Sequence, residues 1–507
     1  MSREADAALQ LKILQVGFVC FFIAAVWFAV KSMMLGSQSK AGAIAAFFVG
    51  LAAVLFLDDR YWLLLPILAF ANLAIPGLPF NGTELGCLSV TVVHALRIVL
   101  RRDARSVGPR LVVVVLPLLL WVAIMFMLNP VGLAMFGSRT IGGRFYFDIA
   151  IGFSAFLSLS SLRIGEKEAR LLFYAILLSL LIAVIRGVVF PQADPDALVF
   201  SNTGLEQEVS VRYAFITCSI LFMLLFSKWS IRQVLTSPIR LFVLFLLAVL
   251  TVYSGKRQAF GSIVLVPVLR MFLKGKDVLL TCAMGFLAAI VLIFAVVGDG
   301  MFFTLPTSAK RALAVVAPRY ERETAGGIHD LFRRELRKEA YSLIGENPMF
   351  GRKGFAMNLE NTRWMNFGGG YTSIYAGHAY SGNWHNMWLA YACDFGIPGL
   401  CFAVFLWFWL LRFVFRENRM ISCGVYLPAC FLFFSFELLI ALVFSWVSGH
   451  ASHSTYETLI RYGLLLALVN GYQASHPSCD RLSPLSNGSP AGQHLISAGV
   501  PASEGMP

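Results

Sequence analysis

The chain has 507 residues, of which 58% are hydrophobic and 14% charged, with a formal net charge of +13. Soluble domains carry nearer about 25% charge, so the composition excludes a soluble globular protein and indicates an integral membrane protein. The positive balance does not call for a nucleic-acid partner, because most of it lies in short loops beside apolar runs, where it sets topology.

Taken in chain order, the runs long enough to cross a hydrocarbon core fall at 13–30, 41–57, 61–77, 84–100, 111–128, 145–162, 169–187, 211–227, 240–255, 258–273, 278–297, 392–411, 422–446 and 456–472. That makes fourteen spans, or twelve if the shortest runs are not counted. They are dense in Leu, Ile, Phe and Val at all positions, without the alternation of a barrel strand. The expected fold is therefore all-α: a polytopic transmembrane helical bundle.

Basic clusters recur at residues 97–110, 163–170, 228–240, 270–276 and 412–419, and in the fourteen-span count all fall on one side. That side is read as cytoplasmic by the positive-inside bias. The long loop 298–391 then lies outside. It nevertheless holds eleven Lys and Arg, from Lys310 to Arg363, against the topological bias. Within it, Ile328, Leu331, Phe332, Leu336, Ala340, Leu343 and Ile344 recur at helical spacing, with Arg333, Arg334, Arg337 and Lys338 around the other faces. This predicts an amphipathic interfacial helix on the outer leaflet. Residues 1–475 read as one membrane domain, and the Ser/Pro/Gly-rich stretch 476–507 as a disordered cytoplasmic tail.

Several residues suit chemistry. Lys256 and Arg257 interrupt apolar sequence at the outer end of the ninth span. They read equally as a polar site or as a snorkelling pair between two helices. His385 precedes a span by a few residues, among Trp384, Trp388 and several Tyr that suit an interfacial belt, and a histidine can accept a proton near neutral pH. His378 is a second candidate, and His450 and His453 sit in the last outer loop. Glu437, within the thirteenth span, reads as a relay group or as a neutral packing residue. The chain has no phosphate loop, zinc helix or dinucleotide fingerprint, and Asp194-Pro195-Asp196 reads as a turn rather than a metal pair.

In order along the chain stand Lys256-Arg257-Gln258-Ala259, Arg333, Asn347-Pro348-Met349-Phe350-Gly351, His385-Asn386-Met387-Trp388-Leu389 and Gly396-Ile397-Pro398-Gly399-Leu400. This pattern, over about residues 240–412, resembles the bacterial O-antigen ligase and polymerase superfamily. Asp394 stands where the family often has Glu, and two departures stand out: Lys256 replaces a family serine, and the doublet Arg333-Arg334 leaves the second arginine ambiguous by one position, though counting back from Pro348 favours Arg333. The resemblance implies a metal-independent, inverting glycosyltransferase in the bacterial inner membrane, with its active site facing the periplasm. The donor would be a lipid-linked oligosaccharide on undecaprenyl pyrophosphate, and the acceptor a glycolipid or growing glycan. Membrane lipids would surround it, with no nucleic acid and no cofactor. It implies His385, Arg257 and Arg333 as catalytic residues, with Lys256, Arg334, Arg337, Asn386 and His378 at the substrate. Lys256 and Arg257 could exchange roles. A ligase joins a finished glycan to lipid A–core, a polymerase joins repeat units, and a third group of the family glycosylates proteins; the long single outer loop favours the ligase. A lipid-linked oligosaccharide transporter is the rival of another class, and inverted repeats with broken midplane helices would mark it.

Overall fold

A computed structural model describes residues 58–71, 81–101, 109–129, 144–189, 206–275, 278–314, 316–317, 319–320, 326–352, 384, 386–446 and 451–476. Among them the architecture is helical throughout, and the only strand-like pairing is an isolated bridge between Asp299 and Phe303. After a 3-10 segment, Asp58–Leu63, come α1 (Leu64–Ala71), α2 (Gly82–Arg101), α3 (Pro109–Leu128), α4 (Arg144–Ser160) and α5 (Glu166–Val189). The middle of the chain forms α6 (Glu206–Lys228), α7 (Ile231–Leu235), α8 (Pro238–Tyr253), α9 (Arg257–Lys274) and α10 (Val278–Gly298). There follow α11 (Thr307–Leu313), α12 (Gly326–Glu346), α13 (Met387–Met420), α14 (Tyr426–Phe444) and α15 (Ala451–Ser475).

Each expected span from the third onward falls on one of these helices, while the first two lie outside the described residues. Among the described residues three helices, α5, α13 and α14, are long and apolar enough to cross a membrane by length and composition, and shorter apolar stretches come from Arg60–Ala71, α3, α4, α6, α8 and α10. The bundle is built around α14, whose sequence YLPACFLFFSFELLIALVF is apolar on every face and is buried along most of its length. Between helices in lipid, close packing takes the place of the hydrophobic effect. Gly152 of α4 accordingly meets Tyr456 of α15, and Gly463 of α15 meets Phe156 and Leu159 of α4, so closely that an added Cβ would touch these neighbours at about 3 Å.

The helix ends sort to two sides. At one, Arg97 lies over the Tyr61 ring, and Lys228 lies over Tyr426 and Phe173. There also Lys274 donates to Ile421 O, and Arg270 to Phe226 O. The Glu166 carboxylate at the start of α5 accepts from the N–H groups of Val425, Tyr426 and Leu427 at 2.8–3.0 Å, capping α14. The described residues of the basic clusters belong to this basic end. The opposite, loop end holds the α8–α9 turn, α11, α12 and the start of α13.

One expectation needs correcting. The amphipathic helix forms as α12, but its apolar face is not simply laid on lipid. Leu336 and Ala340 are fully buried, Leu343 and Ile344 pack on the main core, and the Cys393 thiol of α13 donates to Ala340 O at 3.5 Å. Protein takes this face because small Ala340 lets α12 approach α13 closely. His453 likewise lies in the first turn of α15 rather than in a loop, while His450 lies outside the described residues.

Candidate functional site

The α8–α9 turn is built on Gly255, whose φ of +68° suits glycine, and whose α-carbon sits against the Ser308 backbone so closely that an added Cβ would lie 3.2 Å from its carbonyl oxygen. The Lys256 N–H donates to Ser254 Oγ, and Lys256 stands at the N-cap of α9 with no side chain capping the helix. Arg257 is the first helical residue. The first turn of α9 thus lies at the loop end beside two half-buried cations, an arrangement suited to an anionic group.

Short α11 roofs this turn. Phe260, Ala312, Leu313, Ala314, Ala317 and Tyr320 form a second apolar cluster against Val252 of α8 and Val296 of α10. Asp299 anchors it, accepting from the Leu305 N–H at 2.7 Å and pairing with Lys310 at 3.1 Å. The Leu305 N–H, then Lys310 and Tyr320, hold the Asp299 carboxyl below the usual carboxylate range despite the opposing effect of burial.

The second half of the site is an interlock between the turn 347–351 and a break in α13. Gly396 has φ +70°, and an added Cβ there would lie 2.2 Å from Met349 O; Gly351 has φ +56°, and its Cβ would lie 2.2 Å from Cys393 O. Each motif glycine is therefore the seat for the other's backbone. The break frees polar groups that a helix would pair internally. Ile397 N–H donates instead to Pro348 O at 2.8 Å, Arg352 N–H to Cys393 O at 2.7 Å, and Trp121 Nε1 to Phe395 O at 2.8 Å.

The start of α13 is tied in the same way. Asn386 Oδ1 accepts from Leu389 N–H at 3.0 Å as the N-cap, so this oxygen is committed to the helix. Met387 N–H donates to Ser445 O at the end of α14, and Trp388 packs against Trp446. Gly261 of α9, about one turn past Arg257, meets the Phe444 ring. The end of α14 thereby bridges the Arg257 end of α9 and the Asn386 end of α13.

Of the sequence-derived candidates, Lys256, Arg257 and Asn386 gather at this end. Arg333, Arg334 and Arg337 belong to α12, with Arg334 and Arg337 exposed. His385 and His378 lie outside the described residues. Sequence reasoning missed the buried pair of Arg352 and Asp394, whose Nε and Oδ1 are 2.6 Å apart. It also left Glu437 open: its carboxylate pairs with Arg461 of α15 at 3.2 Å, and Arg461 pairs in turn with Glu457 at 2.9 Å.

The fold and this end of it define a polytopic helical membrane protein with a cation-bearing loop end. Residues 241–404 match the family model for O-antigen ligases, which bears out the superfamily resemblance of the sequence. At family level the match is to a ligase-like, glycosyltransferase-type enzyme. No curated protein matches the chain.

Proposed function

We propose that the protein transfers a glycan from undecaprenyl pyrophosphate to an acceptor hydroxyl at the outer face of the bacterial inner membrane, as a ligase in surface polysaccharide assembly. The observation that carries this reading is the coincidence of the family match, over 241–404, with the N-terminus of α9 at the loop end, where Lys256 and Arg257 are half-buried. In the proposed reaction the acceptor oxygen attacks the anomeric carbon from the face opposite the pyrophosphate. The new glycosidic bond forms as the carbon–oxygen bond to phosphate breaks, and the electron pair leaves with the lipid pyrophosphate. Arg257 and Arg333, as planar forks, hold the donor and offset the charge growing on its leaving oxygen. His385 takes the acceptor proton. Lys256, Arg334, Arg337 and His378 contact donor or acceptor phosphates and sugars, and Asn386 fixes the helix that follows His385. The energy comes from the leaving group, so neither nucleotide nor metal enters the scheme.

The test is transfer by the purified protein in EDTA, from an undecaprenyl-pyrophosphate oligosaccharide, with and without lipid A–core. The proposal expects one new product only with lipid A–core, lost in His385→Ala. A ladder from donor alone would make the protein a repeat-unit polymerase, and full activity in His385→Ala would overturn the mechanism.

A further inference from the structure

The break at Gly396 makes the first turns of α13 a short separate helix, residues 387–395, that carries Asn386 at its mouth. A helix cut from its continuation can swivel unless something else holds it. Met387 N–H to Ser445 O, the Tyr391–Thr455 hydroxyl pair, Cys393 Sγ to Ala340 O and Trp121 Nε1 to Phe395 O hold it to its neighbours. Arg352 N–H to Cys393 O ties it to the turn 347–352, while Ile397 N–H to Pro348 O fixes the far side of the break to the same turn. A further tie to the turn is ionic. Arg352 and Asp394 meet at 2.6 Å with side-chain exposures of 14% and 1%, and the Arg352 guanidinium lies 6.0 Å from the centre of the Trp384 ring. Trp384 is itself 2% exposed.

Well-packed apolar residues usually serve stability as well as a buried ion pair does, so such a pair is better suited to fixing one geometry. Here the geometry is that of buried Trp384, against which Arg352 rests, and of the N-cap Asn386, the two residues that flank His385 in the sequence. We propose that Arg352 and Asp394 are positioning residues that hold Trp384 and Asn386 in one register, and so set the rate of the transfer step without touching donor or acceptor. This rests on the proposed role of residue 385 as the base.

Two readouts test it on the full chain in nanodiscs. The first needs no turnover: 5-fluorotryptophan labelling, with the Trp384 fluorine resonance assigned by its loss in Trp384→Phe among the ten tryptophans. One sharp resonance is expected in the native protein, and a split or broadened one in Asp394→Asn and Arg352→Gln. Asp394→Glu, which keeps the charge, should restore a single line. The second is kinetics with the undecaprenyl-pyrophosphate oligosaccharide and lipid A–core. The variants should lose about tenfold or more in kcat with KM for donor changed less than about twofold, the pattern of lost alignment rather than lost binding. Should the single variants fail to fold, Arg352→Met with Asp394→Leu removes both charges at once and is expected to fold with the same kcat loss. An unchanged Trp384 line or an unchanged kcat in folded variants overturns the proposal. An inactive native protein would overturn the functional reading instead, while the fluorine spectra would still decide whether the pair holds Trp384.

Discussion

Gly351 and Gly396 adopt left-handed backbone with a carbonyl oxygen 2.2 Å from where a Cβ would sit, whereas Gly275, also left-handed at φ +61°, faces open space. The physics of the two cases differs. Gly275→Ala meets only the cost of the conformation, about 1 kcal/mol. Gly351→Ala and Gly396→Ala must also push backbone apart, and at least about 2 kcal/mol is expected for each. Thermal unfolding in detergent should rank them so; equal effects at Gly275 and Gly351 would contradict the interlock. Asp299 gives a second residue-level prediction. Its pKa is depressed in the folded chain, so its contribution is fully present above the ordinary carboxylate value near 4 and is lost as pH falls through the depressed one. Pepsin cleavage within 299–320 should therefore accelerate as pH falls through and below about 4. In Asp299→Asn it should be fast at every pH tested. An unchanged pH profile in that variant would remove Asp299 as the anchor of α11.

At the scale of the element, α12 and α13 separate what the sequence discloses from what it hides. Helical spacing of Leu336, Ala340, Leu343 and Ile344 is enough to predict α12, because periodicity is a property of one segment. Which surface receives that face is a property of two segments, and Ala340 against Cys393 carries no pattern of its own. The same holds for Glu437. Its cost in an apolar span is legible, but its partner Arg461 lies on another helix and is found only by packing. Removing that partner leaves two carboxylates in the bundle, so Arg461→Leu should destabilise by about 3–5 kcal/mol. Glu437→Leu with Glu457→Leu and Arg461→Leu should recover most of it. A single variant as stable as the native protein, followed by thermal unfolding in nanodiscs, would show that the pair does not hold α14 to α15.

For the whole molecule, lipid makes the spans legible, since every backbone polar group must be paired within a helix and each helix must be apolar over its length. The sorting of basic clusters to one end was legible for a similar reason, and contacts such as Glu166 at the N-terminus of α14 and Lys274 at Ile421 now tie that end together. The kink of α13 was not legible, because Gly-Ile-Pro-Gly inside an apolar run is compatible with a straight or a broken helix until the turn 347–351 is docked on it. In the candidate site, motif order pointed to Arg257 and Asn386, and the helix cap explains why an asparagine stands at 386. His385 remains a reading from the motif. The central claim is that cations at the loop end, not those at the basic end, handle the lipid pyrophosphate. The most direct measurement is the rate of glycan transfer in Arg257→Ala beside Arg412→Ala, at saturating acceptor. The account predicts a fall of about a hundredfold or more for Arg257→Ala, as for loss of a charge-stabilising donor, and near-native transfer for Arg412→Ala. Native transfer in Arg257→Ala, or equal losses in both, would contradict it.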